Sequence, residues 1–373
     1  MILGIVLHAT LPYISGMEVL WPADKESSTP LRLVFEFIHI WRMPLFFLLA
    51  GFFANLIINK KSWPSWWLNR LIRLAVPIII FFPLLGLTIP WIFEYGRTGE
   101  FRFFYSNIGQ PFHLWFLWHL LIFTLLTIIS RPVFLLARLI GIVLAKLGLK
   151  SVVNSLSYCR RIPANIIFRS RIPLGFVLIY YVISIPTGGE LILNPMLSAL
   201  YFILGYSLYG NDQLLSFIKT YWAYYLIFAL ICFTAYWLII TFESNKIIQS
   251  FYLQNSQLPD ISESDFLYLI KILFKSLCGI LFCYGLVGLA EKKINNYKKW
   301  SRFIADGSYW MYLIHLPIVT LITFSMFNLD VSPFYKFATA SLVTFIICLV
   351  TYKYLVRESF IGILLNGKRV KKM

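Results

Sequence analysis

Residues 33–58 read LVFEFIHIWRMPLFFLLAGFFANLII. The run is longer than the roughly 20 apolar residues that cross a bilayer core, and it reads as a membrane-spanning helix. Inside it stand Glu36, His39 and Arg42 at three-residue spacing. On a helix that spacing spreads a trio over roughly a 120° arc, so all three share one face. Ionisable groups in hydrocarbon are costly and normally face a bundle interior or a water-filled cavity, which makes each a functional candidate.

The rest of the chain repeats the pattern. Apolar blocks separated by polar breaks predict spans near 1–15, 33–58, 74–93, 112–130, 172–188, 191–210, 219–242, 266–289, 303–327 and 334–356. The expected fold is therefore all-α, a polytopic transmembrane helix bundle of about ten spans, with residues 1–373 forming a single membrane domain. Composition agrees: 59% of residues are hydrophobic and only 13% charged, about half the charged share of a soluble domain. The net charge of +17 does not indicate a nucleic-acid binder, because the Lys and Arg lie between apolar blocks and not on one basic face. Most of the five cysteines (Cys232, Cys278, Cys283 and Cys348) sit inside apolar runs without metal-site or disulfide spacing and read as buried thiols.

Loop charge sets the expected orientation, since cytoplasmic loops are enriched in Lys and Arg. Lys60, Lys61, Arg70 and Arg73 precede the third span, and residues 131–171 hold eight basic residues and no acidic one. Lys292, Lys293, Lys298, Lys299 and Arg302 mark another inner loop, and Lys368, Arg369, Lys371 and Lys372 an inner tail. The loop from Glu243 to Asp265 is acidic and is expected outside. The reading is a multi-pass protein of the cytoplasmic membrane with both termini inside. Residues 132–150 are apolar but carry Arg138 and Lys146; they are read either as an interfacial helix or as an extension of the fourth span.

This orientation puts Glu36, His39 and Arg42 in the outer half of the second span. His113 opens the fourth span at that level, and His8 lies a turn below the outer end of the first. A histidine is suited to remove a hydroxyl proton near neutral pH, and a neighbouring carboxylate fixes its tautomer. Arg70 and Arg73 stand at the inner mouth of the third span, where guanidinium forks can hold a phosphorylated donor from the cytosol. Plainer explanations exist for each group. Positive-inside topology alone accounts for many such arginines. Glu36, His39 and Arg42 can pair as structural glue, and His119 and His315 can simply bond neighbouring helices. Trp63, Trp66 and Trp67 read as interfacial anchors.

Five stretches occur in an order that resembles the acyltransferase family 3 membrane proteins: GIVLHATLPY (4–13), WRMPLFFLLAGFF (41–53), RLIRLAVP (70–77), HLWFL (113–117) and SYWMYLIHLPI (308–318). The likeness runs over the whole chain and is strongest in the first 120 residues. It implies an O-acyltransferase that takes an acyl group, succinyl or acetyl, from acyl-CoA in the cytoplasm to a carbohydrate hydroxyl of a periplasmic or cell-surface glucan or glycan. His8 looks like the family's essential first-span histidine, and Arg70 and Arg73 like its paired arginines, which would bind acyl-CoA. Arg42 matches the second-span motif, and His113 with Trp115 the start of the fourth-span motif, assigned here to the acceptor.

The working reading makes His8 the general base, aided by Glu36, His39 or Arg42. Acyl-CoA is a co-substrate, no bound cofactor or metal is required, and membrane lipid is the surroundings. A covalent acyl-histidine relay fits the same residues. In the family an Arg lies eleven positions before the first-span histidine, after a Leu-Asp pair. Those positions would precede Met1, so the expectation is that the first span is truncated and that the upstream reading frame encodes the missing part. A transporter or flippase for a glycan or lipid-linked saccharide is the rival reading, because intramembrane charges also line transport paths. A structural membrane subunit is the third.

Overall fold

The structure is a computed structural model and describes residues 1–60, 62–106, 112–252, 261–293 and 299–366. Among these residues every regular element is helical. In chain order the helices are α1 (Ile2–Thr10), α2 (Thr29–Lys60), α3 (Trp63–Thr98), α4 (Trp115–Lys146), α5 (Lys150–Phe168) and α6 (Leu174–Ser184). There follow α7 (Pro195–Leu208), α8 (Asp212–Tyr252), α9 (Ile261–Lys293), α10 (Lys299–Ser325), α11 (Pro333–Thr351) and α12 (Phe360–Asn366).

Seven helical segments are long and apolar enough to cross a membrane, and they carry α2, α3, α4, α8, α9, α10 and α11. Three shorter apolar segments, Ile2–Tyr13, Leu174–Thr187 and Pro195–Leu208, stand where the first, fifth and sixth spans are expected. The protein is thus an all-α, polytopic membrane protein. Helix breakers explain the two short segments after residue 172. Gly188 and Gly189 both adopt positive φ, at 60° and 73°, a conformation that stops a helix. Pro195 then opens α7, where its missing N–H costs nothing, and the Asn194 side chain caps that helix by accepting from the Met196 N–H at 3.0 Å.

Residues 132–146 extend α4, which runs unbroken for 32 residues, roughly 48 Å at 1.5 Å per residue. Gly148 at φ 85° then turns the chain into α5. Lys61, Lys298, Lys368, Arg369, Lys371 and Lys372 lie outside the described residues, as do residues 253–260 of the acidic loop.

The chain divides into two compact units, one of Met1–His39, Pro64–Ile122 and Asn296–Met373, the other of Ile40–Trp63 and Phe123–Asn295. In the first, α1 packs on α10 and α11. Ile5 and Ala9, one turn apart on α1, meet Met311 and Val319 of α10 and Ala340 and Cys348 of α11 in a fully buried cluster. The connection from α1 to α2 is pinned by a buried ion pair, Lys336 Nζ to Asp24 Oδ2 at 2.8 Å, with side chains 4% and 1% exposed. On α3, Ile79, Ile80, Leu84 and Leu87 are exposed, as a lipid-facing surface requires.

In the second unit α8 and α9 pack along one another. Gly51 of α2 and Gly205 of α7 lie so close to the Phe202 and Leu48 carbonyls that a Cβ at either would overlap backbone. Small residues let helix backbones approach in this way where no hydrophobic effect drives association. Lys275, 9% exposed, is ion-paired with Glu190 and donates to the Gly188 carbonyl at 3.2 Å.

Candidate functional site

Helix α10 assembles the site in the first unit. Tyr309, Tyr312 and His315 recur every three residues along it, a spacing that keeps them on one face and spreads them over about 9 Å of helix rise. Each reaches a different expected residue. The Tyr309 hydroxyl donates to the Arg73 carbonyl. Tyr312 engages His113, and His315 lies against His8 with ring centroids 5.3 Å apart.

The histidines have assignable tautomers. The Nε2 of His113 is 2.8 Å from the Tyr312 carbonyl oxygen, and Nδ1 of His315 is 2.8 Å from that same oxygen and 3.0 Å from the Met311 carbonyl. Carbonyls only accept, so both nitrogens carry the proton. In the neutral rings the lone pairs then sit on His113 Nδ1 and His315 Nε2. His113 Nδ1 is buried and has no hydrogen-bond partner among the described residues. The His113 and His315 rings meet edge to face at 5.1 Å. One carbonyl therefore holds two imidazoles, and His315 stands between His8 and His113. The three rings are neighbours and not a ligand set: among the described residues no group of three or more His, Cys, Asp or Glu is arranged to hold a metal ion.

Local backbone helps present His113. Phe112, just before it, adopts φ 47°, a left-handed conformation that costs of order 1–3 kcal/mol in a non-glycine residue and concentrates at functional sites. Two bonds lock the result: the imidazole donates to Tyr312, and the Tyr312 hydroxyl donates back to the His113 carbonyl at 2.5 Å.

Arg70 and Arg73 lie one turn apart on α3, both half-buried. Arg73 donates through Nε to the Leu365 carbonyl of α12 at 2.9 Å and through Nη2 to the same oxygen. Arg70 has no hydrogen-bond or ion-pair partner among the described residues. The pair is thus asymmetric among the described residues, with Arg73 bonded to Leu365 and Arg70 bonded to none of them.

The remaining expected residues are placed as follows. Glu36 and His39 are half-buried on α2 within the first unit, and His39 stacks on Phe35 at 5.2 Å and 14°. Arg42, one turn further on, is buried and belongs to the second unit. Trp115 packs edge to face on His119 at 5.3 Å, and His119 is buried. The structure brings His8 and His113 together through His315 and sets Arg70 beside Arg73.

His315, expected to bond a neighbouring helix, donates to carbonyls of its own helix and lies against His8 and His113, and the sequence does not single out Tyr309, Tyr312 or Trp21. The three-residue period of the first two with His315 was the available signal. For Trp21, whose ring lies over that of His8 at 5.9 Å and 15°, no signal existed, because it sits in a connection between helices.

A family model described as an acyltransferase domain matches residues 1–353. Glucans biosynthesis protein C of Escherichia coli (strain K12) is 31% identical over 138 residues, which are 34% of this chain and 35% of that protein. The protein of the same name from Shigella dysenteriae serotype 1 gives the same figures. The chain spans about a third of the length of the curated relatives it matches. No solved structure matches.

Proposed function

Because this chain belongs to the acyltransferase domain family, we propose that it is a membrane O-acyltransferase that moves a succinyl or acetyl group from acyl-CoA to a sugar hydroxyl of a periplasmic or cell-surface glycan. The observation that carries this reading is the array of His8, His315 and His113 in the same unit as Arg70 and Arg73. It supplies base chemistry at one end of the α10 stripe and an anion-binding pair at the other. The name of the relatives, a glucans biosynthesis protein, supports a glucan as the acceptor class.

In this reading the CoA phosphates enter from the cytoplasmic side and are held by Arg70, with Arg73 supporting the same face. A sugar hydroxyl is presented beside His113 and Trp115 from the opposite side. His8 takes the hydroxyl proton as the oxygen attacks the thioester carbonyl carbon. A C–O bond forms, the C–S bond breaks, and the leaving thiolate takes the proton from His8. Glu36 and His39, in the same unit, assist the base. Arg42, in the second unit, is given no step.

The test is chemical. Membranes containing the protein are incubated with labelled succinyl-CoA or acetyl-CoA and a glucan. Label appears on the glucan as an alkali-labile ester, and a His8→Ala protein leaves it unlabelled. A transporter would move the glucan without modifying it.

A further inference from the structure

Trp21 belongs to the connection between α1 and α2, and that connection is held down at several points. The Asp24 N–H donates to the Pro12 carbonyl at 2.9 Å and the Ser28 N–H to the Tyr13 carbonyl at 2.8 Å. Lys336 anchors Asp24 from α11 through the buried ion pair, and Arg97 Nη2 donates to the Val19 carbonyl at 3.2 Å. Gly96 leaves room for the segment, since a Cβ there would meet Pro22 and Phe324.

So held, the indole of Trp21 is fixed between two rings. Its plane lies over His8 at 5.9 Å and 15°, and Phe93 meets it at 4.8 Å and 70°. The indole Nε1 is buried and has no hydrogen-bond partner among the described residues. A buried donor left without an acceptor costs free energy, and a native structure that keeps one calls for a reason. This one lies beside the residue assigned as the base.

We infer that Trp21 is a further catalytic residue, whose indole N–H donates to the carbonyl oxygen of the acyl thioester as negative charge gathers on it. This rests on the proposed transferase reading. Donor chemistry selects the partner. An indole N–H has no acceptor capacity, so it suits an oxygen that only accepts and that gains charge. The attacking sugar oxygen needs its lone pair for the new bond. As His8 takes the hydroxyl proton and the C–O bond forms, the carbonyl π electrons move onto oxygen, facing Trp21. On collapse the C–S bond breaks, and the thiolate leaves with the proton held by His8. A rigid donor aimed at the developing oxyanion typically contributes a factor of roughly 10²–10³ to kcat.

The experiment uses the full chain in detergent or vesicles, with glucan and whichever of labelled succinyl-CoA and acetyl-CoA the wild-type protein uses. Trp21→Phe keeps an aromatic ring and removes the N–H. Incorporation of 3-benzothienylalanine at position 21 keeps the shape of the indole and replaces N–H by sulfur. The expected result is a fall in kcat of roughly 10²–10³ in both proteins, with the KM for acyl-CoA unchanged and the thermal midpoint not lowered. If Trp21→Phe fails to fold, the benzothienyl protein alone decides. Wild-type kcat in the benzothienyl protein overturns the inference while leaving His8-dependent transfer intact. If the wild-type protein transfers no acyl group, the transferase reading fails, and the role of Trp21 fails with it.

Discussion

His113 and Tyr312 clasp each other across 199 positions of chain: the imidazole Nε2 donates to the Tyr312 carbonyl at 2.8 Å, and the Tyr312 hydroxyl donates to the His113 carbonyl at 2.5 Å. The pair ties the turn just before α4 to the middle of α10 and sets the histidine's tautomer. Tyr312→Phe removes the second bond only and leaves a buried carbonyl short of a donor. The expected loss is about 1–2 kcal/mol of stability, read as a lower thermal midpoint in detergent, together with slower acyl transfer.

His315 touches both of the other histidines, and its Nδ1 proton is fixed by two carbonyls. If it orients His8, then His315→Ala lowers kcat by roughly 10²-fold, within the range of general acid-base contributions, and leaves the KM for acyl-CoA unchanged. Steady-state kinetics on the purified protein separates the two constants. A purely structural His315 would instead lower the thermal midpoint with kcat intact in the folded fraction.

Lys336 and Asp24 form a buried pair at 2.8 Å. Removing one partner leaves an uncompensated buried charge, expected to cost about 3–5 kcal/mol, whereas replacing both with apolar residues of similar volume restores most of it. Thermal unfolding of Lys336→Met, Asp24→Leu and the double variant checks this. The double variant also frees the segment that carries Trp21, so its folded protein is expected to be stable but slow.

Arg70 and Arg73 are predicted to separate. Arg70→Ala raises the KM for acyl-CoA with little change in thermal midpoint, because no hydrogen bond or ion pair to a described residue is lost. Arg73→Ala lowers the midpoint as well, since it strips two N–H donors from the Leu365 carbonyl. Arg73→Lys does not restore stability, because a lysine lacks the planar fork.

Much of the fold was legible because hydropathy reports burial in lipid one helix at a time. All ten apolar blocks are helical, and the short sixth and seventh helices follow from Gly188, Gly189 and Pro195. The continuation of α4 past Pro132 was one of two open readings, since an apolar run with scattered charges does not state whether it bends. The candidate site was legible only as separate groups: His8, Glu36, His39, Arg42 and His113 as ionisable residues within apolar blocks, and Arg70 and Arg73 as arginines at the mouth of a span. What joins them was not. Tyr312 meets His113 from 199 positions away, Leu365 meets Arg73 from 292, and Asp24 meets Lys336 from 312. A linear pattern carries no information about which helices become neighbours. Trp21 was hidden for a second reason, because its orphaned N–H exists only once the connection has folded over His8.

The most direct measurement of the central claim is mass spectrometry of glucan recovered after incubation with acyl-CoA and purified protein, wild type beside His8→Ala. The account predicts an ester-linked acyl adduct on the glucan with the wild-type protein and none with His8→Ala. Unmodified glucan from the wild type, or equal adduct from both proteins, would contradict it.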